Sequence, residues 1–282
     1  MNLANYLSQA FAQHALLAGG LVALMCGIIG PFVISRGMAF AVHGTSELAF
    51  TGAAGGLLLD NDPILGAFIG GIIVATILGT LGNQEKERDS TIGVILAFGL
   101  GVGVLLLNFY HGFATQATNI LFGDIFGVSN DQLLLLIGVG VVVLIVMAII
   151  FRPLLFASVD PGVAEARGVP VRLLGIVFLY VLALTVTATA QVVGTLLVLS
   201  LAITPAAAAQ RLATRPLTIT MLSILFALTA SIGGILASLA SGTIKPSVLV
   251  TGISFGLYVF ARLYGTPAAP NAVVAPPASL IK

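Results

Sequence analysis

Nine apolar stretches follow one another along this chain with short polar breaks between them. They run roughly over 15–35, 37–59, 63–82, 91–108, 133–151, 172–190, 192–210, 217–237 and 245–263, and each approaches the ~20 residues a spanning helix needs. In lipid, an open chain satisfies its backbone polar groups by coiling into helices, so the pattern predicts an all-α polytopic membrane protein. Composition agrees, since 59% of the 282 residues are hydrophobic and only 7% are charged. A soluble domain carries about 25% charge. These values exclude a water-soluble enzyme, a disordered chain and a nucleic-acid binder. The single Cys26 excludes an internal disulfide and reads as a core residue of the first span.

Charge orients the spans. With Glu85–Asp89 placed in the cytoplasm and nine crossings alternated, Arg36, Lys86, Arg88, Arg152, Arg167, Arg172, Arg211, Arg215, Arg262 and Lys282 all fall inside. Only Lys245 falls outside, a strong positive-inside bias. The expectation is an outer N-terminus and an inner C-terminus in a bacterial cytoplasmic membrane. Gln191 alone interrupts the apolar run near 190, so eight crossings with one re-entrant segment stay open, although they would move several basic residues across.

Residues 1–14 read as an N-terminal interfacial segment without the basic start of a signal peptide, and residues 15–265 as the transmembrane domain. Residues 266–282, rich in proline and alanine, read as a disordered tail. Phe109–Gln132 is an outer connection, in which Leu121–Asp124 suits a short helix or a re-entrant turn. The inner connection Phe151–Arg172 carries a short helix near 158–170. Ser158 or Asp160 can cap it, Pro161 suits its first turn and Gly168 its end. From its residues this is either an ordinary interfacial helix or a docking helix for a cytoplasmic partner. Pro205 lies inside an apolar helical pattern and is expected to kink it. Gly70, Gly71, the run Gly99 to Gly103, Gly138, Gly140, Gly233 and Gly234 are expected to permit close helix approach.

The most informative residues are His43 and Glu47. Four apart, they share one helix face, roughly 10 to 17 Å into the hydrocarbon when counted from Arg36. An ionisable pair there is costly and is a functional hypothesis by default. Imidazole nitrogen and carboxylate oxygen suit zinc or manganese, and a symmetric dimer would double the two ligands to four. The other reading is a structural hydrogen bond between helices, helped by Ser46 or Thr51. His14 and His111 read as interface anchors. Asp60 and Asp62, at the outer mouth, either attract a cation or cap the helix that begins at Pro63. No Gly-rich loop ending in Gly-Lys-Ser or Gly-Lys-Thr is present, so the chain is expected not to be an enzyme that hydrolyses ATP by that route. Ser46 beside His43 lacks a nucleophile–base arrangement, which argues against an intramembrane protease.

Five stretches carry a resemblance: Arg36–Gly52, Asp89–Ala97, Leu121–Ile125, Asp160–Gly168, and Val192–Val198 with Thr204–Ala209. Together they resemble the membrane permease subunits of bacterial zinc/manganese/iron-type ABC importers, over roughly 15–265. The resemblance implies the helical fold of the vitamin B12 and metal-chelate importers. It also implies a homodimer of permeases, two cytoplasmic ATPase subunits that use ATP, and an extracytoplasmic metal-binding protein. No cofactor is implied for this chain; a zinc or manganese ion is cargo. His43 and Glu47 would line the metal path. Asp160, Glu165, Ala166, Arg167 and Gly168 would form the coupling helix. Commoner members carry Asp at the position of His43 and His at that of Glu47, so the pair is kept with its order reversed. Rival readings are a permease for a metal chelate or another small solute, a secondary transporter or channel without an ATPase, and a purely structural membrane subunit.

Overall fold

A computed structural model describes residues 9–59, 62–80, 85–110, 123–195 and 198–265. These form eleven helices in chain order. They are α1 (Ala10–Ser35), α2 (Ala39–Leu59), α3 (Pro63–Thr80), α4 (Glu85–Phe109), α5 (Asn130–Val159), α6 (Pro161–Ala166), α7 (Val171–Val193), α8 (Val198–Ala202), α9 (Thr204–Leu212), α10 (Pro216–Ser241) and α11 (Pro246–Tyr264). Eight have 18 residues or more. Six of those, α1, α3, α5, α7, α10 and α11, are long and apolar enough to cross a membrane on length and composition alone. The exceptions α2 and α4 carry the polar residues around His43 and the charges of 85–89.

The stretch 192–210 departs from the single span expected. α7 runs on to Val193 and stops at Gly194, whose φ of 97° is a left-handed value open to glycine. The chain re-enters helix in two pieces, α8 and α9, separated at Ile203 with Pro205 in the first turn of α9. Proline has no N–H to give the preceding turn, so its place at the start of a new helix is the low-strain solution.

α1 is the central post, buried along most of its length and packed against α5, α7, α8, α9 and α10. Small residues make this contact close. A Cβ on Gly27 would stand 2.6 Å from the Ile224 Cα, and one on Gly30 2.6 Å from the Ala202 carbonyl oxygen. Ser231 Oγ donates to Gly19 O at 2.8 Å. Because Gly19 faces Ser231 and Ile235 while Gly27 faces Ile224, α1 and α10 run antiparallel. Among the glycines singled out above, Gly70, Gly71, Gly103, Gly140 and Gly234 lie tight against neighbours, whereas Gly101 and Gly138 have nothing within 4 Å.

The contacts define two ends of the bundle. At one, His14 Nδ1 reaches Val128 O at 3.4 Å, Gly123 lies on the Val193–Gly194 backbone, and Lys245 shares a cleft with Asp124. At the other, Arg36 meets Ser158, Glu165 and Arg172 share a cleft with it, and Gly265 abuts Arg211. Arg36 and Arg172 lie at this second end and Lys245 at the first.

Candidate metal path

His43 and Glu47 lie on α2, which packs against α3, α4, α7 and α8. Counted from Ala39 they are about 6 and 12 Å along the helix axis. Glu47 is only 2% exposed, and its neighbours Thr45 and Ser46 are buried with it. Those hydroxyls turn inward on their own helix, Thr45 Oγ1 donating to Ala41 O at 2.7 Å and Ser46 Oγ to His43 O at 2.9 Å. They do not reach the pair. Thr51 Oγ1 donates to Gly99 O of α4 at 2.6 Å, and lies 3.1 Å from Glu47 O. Thr51 thus makes a structural hydrogen bond between α2 and α4, while Ser46 bonds within α2.

Glu47 Oε2 and His43 Nδ1 are both buried and have no hydrogen-bond partner among the described residues. An unsatisfied buried polar group costs free energy that a fold normally avoids. A buried carboxylate and a half-buried imidazole on one face, each with an atom that has no hydrogen-bond partner among the described residues, are donor types suited to a divalent transition ion. No group of three or more His, Cys, Asp or Glu side chains is assembled among the described residues. The described residues of one chain thus offer two candidate donors at this face.

The backbone that holds α2 in place is glycine-built. Gly52 and Gly56 meet Gly66 and Gly70 of α3 backbone to backbone, leaving no room for a Cβ on any of the four. Each pair has Gly-x-x-x-Gly spacing, the sequence signal of close helix contact in membranes. Of the four, only Gly70 was singled out from the sequence; the spacing would have found the others. On the side toward α4, Gly103 sits under Phe50, where a Cβ would be 2.6 Å from the ring. A groove of about 280 Å³ follows the α2–α3 seam from Asp62 and Leu59 to Thr51 and Leu48, and Glu47 does not line it. On α7, Thr185, Thr187 and Thr189 are fully buried, and Thr189 meets Cys26 Sγ at 3.4 Å.

Asp62 Oδ1 accepts from the Ile64 and Leu65 amides, both at 3.1 Å, and so caps α3. Asp60 lies outside the described residues, as do His111 and Leu121–Phe122. Gly123–Ser129 is turn and irregular chain, not helix. Asp160, rather than Ser158, caps α6: its Oδ1 accepts from Val163 N at 3.0 Å. Ala164 is fully buried beneath α6, while Glu165, Ala166 and Arg167 are exposed. Gly168 ends it at φ 80°. Its N–H bonds Glu165 O at 2.9 Å and that of Val169 bonds Ala164 O at 3.0 Å, the Schellman pattern.

Three comparisons bear on this architecture. Residues 8–265 match the family model described as the ABC 3 transport family. The manganese transport system membrane protein MntC of Halalkalibacterium halodurans is 34% identical over 259 residues, covering 90% of this chain and 88% of MntC. The high-affinity zinc uptake system membrane protein ZnuB of Haemophilus influenzae is 30% identical over 252 residues, covering 88% of this chain and 96% of ZnuB. Among solved structures, PsaBC from Streptococcus pneumoniae in complex with a Fab superposes with a TM-score of 0.83 at 29% identity, covering 94% of this chain and 96% of that one. A metal-chelate type ABC transporter in an inward-facing conformation shares the fold at a TM-score of 0.68 and 14% identity, covering 89% and 86%. The helical bundle, the match along nearly its whole length and the two relatives together show that this multi-pass membrane chain belongs to the ABC 3 transport family.

Proposed function

We propose that this chain is the permease subunit of an ATP-binding-cassette importer whose cargo is a divalent transition metal ion, manganese or zinc. The carrying observation is that His43 Nδ1 and Glu47 Oε2, one turn apart on α2, are both buried and have no hydrogen-bond partner among the described residues. The relatives named for manganese and zinc transport support the cargo class. An ion in transit must bind and then leave, so an incomplete shell suits transport better than a tight structural site. A second copy of the chain would bring a second His43/Glu47 pair and complete four ligands.

Positive-inside logic puts the arginine-rich end in the cytoplasm, with the N-terminus outside and the C-terminus inside. α6 then faces the cytoplasm, where Asp160, Glu165, Ala166, Arg167 and Gly168 dock an ATPase subunit. The opposite end, to which Asp62 belongs, receives the ion from an extracytoplasmic binding protein. The working permease lies within residues 10–265, because α1 begins at Ala10 and takes residues 10–14 out of the interfacial segment expected for 1–14. Deletion of 266–282 should leave transport intact. ATP is hydrolysed by the partner, and transport requires the metal face to bind the ion more tightly in one state of the cycle than in the other.

The test is ATP-driven uptake into vesicles that hold the permease, its ATPase and the binding protein, with manganese and zinc compared. Glu47→Gln keeps the shape of the side chain and removes its charge; it should abolish uptake while the complex still assembles and hydrolyses ATP. Normal uptake by the folded variant removes Glu47 from the path. An assembled, ATP-hydrolysing wild-type complex that moves neither ion would point to a chelate or another small solute as cargo.

A further inference from the structure

The corner between α1 and α2 is a second Schellman turn. Gly37 takes φ 62°, its N–H bonds Ile34 O at 3.1 Å, and the Met38 N–H bonds Val33 O at 2.8 Å. Val33 and Met38 are both buried, completing the apolar contact of the motif. Met38 O already accepts from Val42 N at 3.2 Å, so α2 starts directly from this turn. A displacement of the corner is therefore carried into the helix that holds His43 and Glu47.

Arg36 is the cap residue of this corner, and its side chain leaves the turn for two other elements. Nη1 donates to Ser158 Oγ at 3.3 Å, while Ser158 Oγ itself donates to Leu154 O at 2.7 Å. The Arg36 Cζ stands 6.0 Å from the centre of the Phe178 ring on α7. A Cβ on Gly175, one turn before Phe178, would fall 3.2 Å from Nη2 and press the guanidinium aside by a few tenths of an ångström. Ser158 is two residues before Asp160, the residue that ends α5 and caps α6.

We propose that Arg36 is a positioning residue that latches the metal-bearing helix to the ATPase-facing corner: the Arg36–Ser158 hydrogen bond passes movement of α6 to the start of α2. The proposal rests on the transport reading above and names the link by which ATP hydrolysis at one end reaches His43 and Glu47. The link joins positions 122 residues apart in sequence. A guanidinium suits this role because its planar fork holds a direction, which the ammonium of a lysine does not.

The test uses the full complex with its ATPase and a reporter cysteine at Ala39→Cys, an exposed position in the first turn of α2. Native Cys26 is buried and serves as the silent control. Thiol labelling is followed with and without ATP and vanadate, a readout that needs no metal. ATP should alter the labelling rate at position 39. Ser158→Ala should remove that response while ATP hydrolysis continues, and Ser158→Thr should restore it. Gly175→Ala, which crowds the guanidinium without touching either partner, should weaken it. In parallel, Ser158→Ala should lower the metal moved per ATP by about fivefold. An equal response in Ser158→Ala, or no response in any background, overturns the latch. A latch response without metal uptake by the wild type would instead overturn the cargo reading alone.

Discussion

Gly27→Ala tests the closeness of the α1–α10 contact. The new methyl would stand 2.6 Å from the Ile224 Cα and 3.0 Å from its backbone nitrogen. Ordinary carbon contacts lie at about 3.5–4.0 Å, so the methyl is about 1 Å too close. The obstacle is backbone and cannot rotate away; α1 and α10 must move apart along the contact. Overpacking of this kind costs about 1–3 kcal/mol. Replacing glycine by alanine inside a helix returns roughly 0.8–1.0 kcal/mol, which offsets only part of it. The control is Gly20→Ala on the same helix, where nothing lies within 4 Å and only the helical gain applies. In thermal unfolding of the detergent-purified protein, Gly20→Ala should melt at or above wild type and Gly27→Ala below it. A Gly27→Ala protein that melts no lower than Gly20→Ala would refute the backbone-to-backbone contact and the antiparallel register drawn from it.

Two further perturbations probe the surroundings of the metal path. Thr51→Val removes the 2.6 Å bond to Gly99 O while keeping shape, and should cost about 0.6 kcal/mol in the same unfolding assay, the mean for such bonds inside membranes; a loss of several times that would mean Thr51 does more than join α2 to α4. Asp160→Ala removes the cap of α6 and should cost about 1 kcal/mol locally, read as faster backbone hydrogen exchange at Val163; unchanged exchange would show that α6 is held by its buried Ala164 rather than by its cap.

Much of this architecture is legible in the residues. Hydropathy locates the spans because a helix in lipid needs an apolar surface of fixed length, and the arginines separate the two ends because their burial is so unfavourable. Asp160, Pro161 and Gly168 predict α6 because cap chemistry is local. The interruption of 192–210 was announced by Gln191 and Pro205, but the turn at Gly194 was hidden, since hydropathy averages side chains and is blind to a backbone angle. Arg36–Ser158 and Thr51–Gly99 were hidden for a different reason: each joins residues far apart in sequence, and no local pattern pairs them. His43 and Glu47 stood out because ionisable groups are rare at that depth. That Ser46 and Thr51 would turn to backbone carbonyls instead of the pair could be decided only by geometry.

The interrupted stretch α8–α9 also bears on how the protein is made. Its pieces have 5 and 9 residues, and α9 ends in Arg211 near its last turn. Neither reaches the ~20 apolar residues that hold a helix in a bilayer unaided. Inserted alone, this stretch would have little reason to stay. α8 is held in part by α1, α2 and α7, which precede it, whereas α9 packs mainly on α10 and α11, which are synthesised after it. Biogenesis is therefore expected to have a late step, in which α9 settles once the two C-terminal helices have arrived. Truncation before α10 should leave the earlier spans in the membrane and α9 without its place.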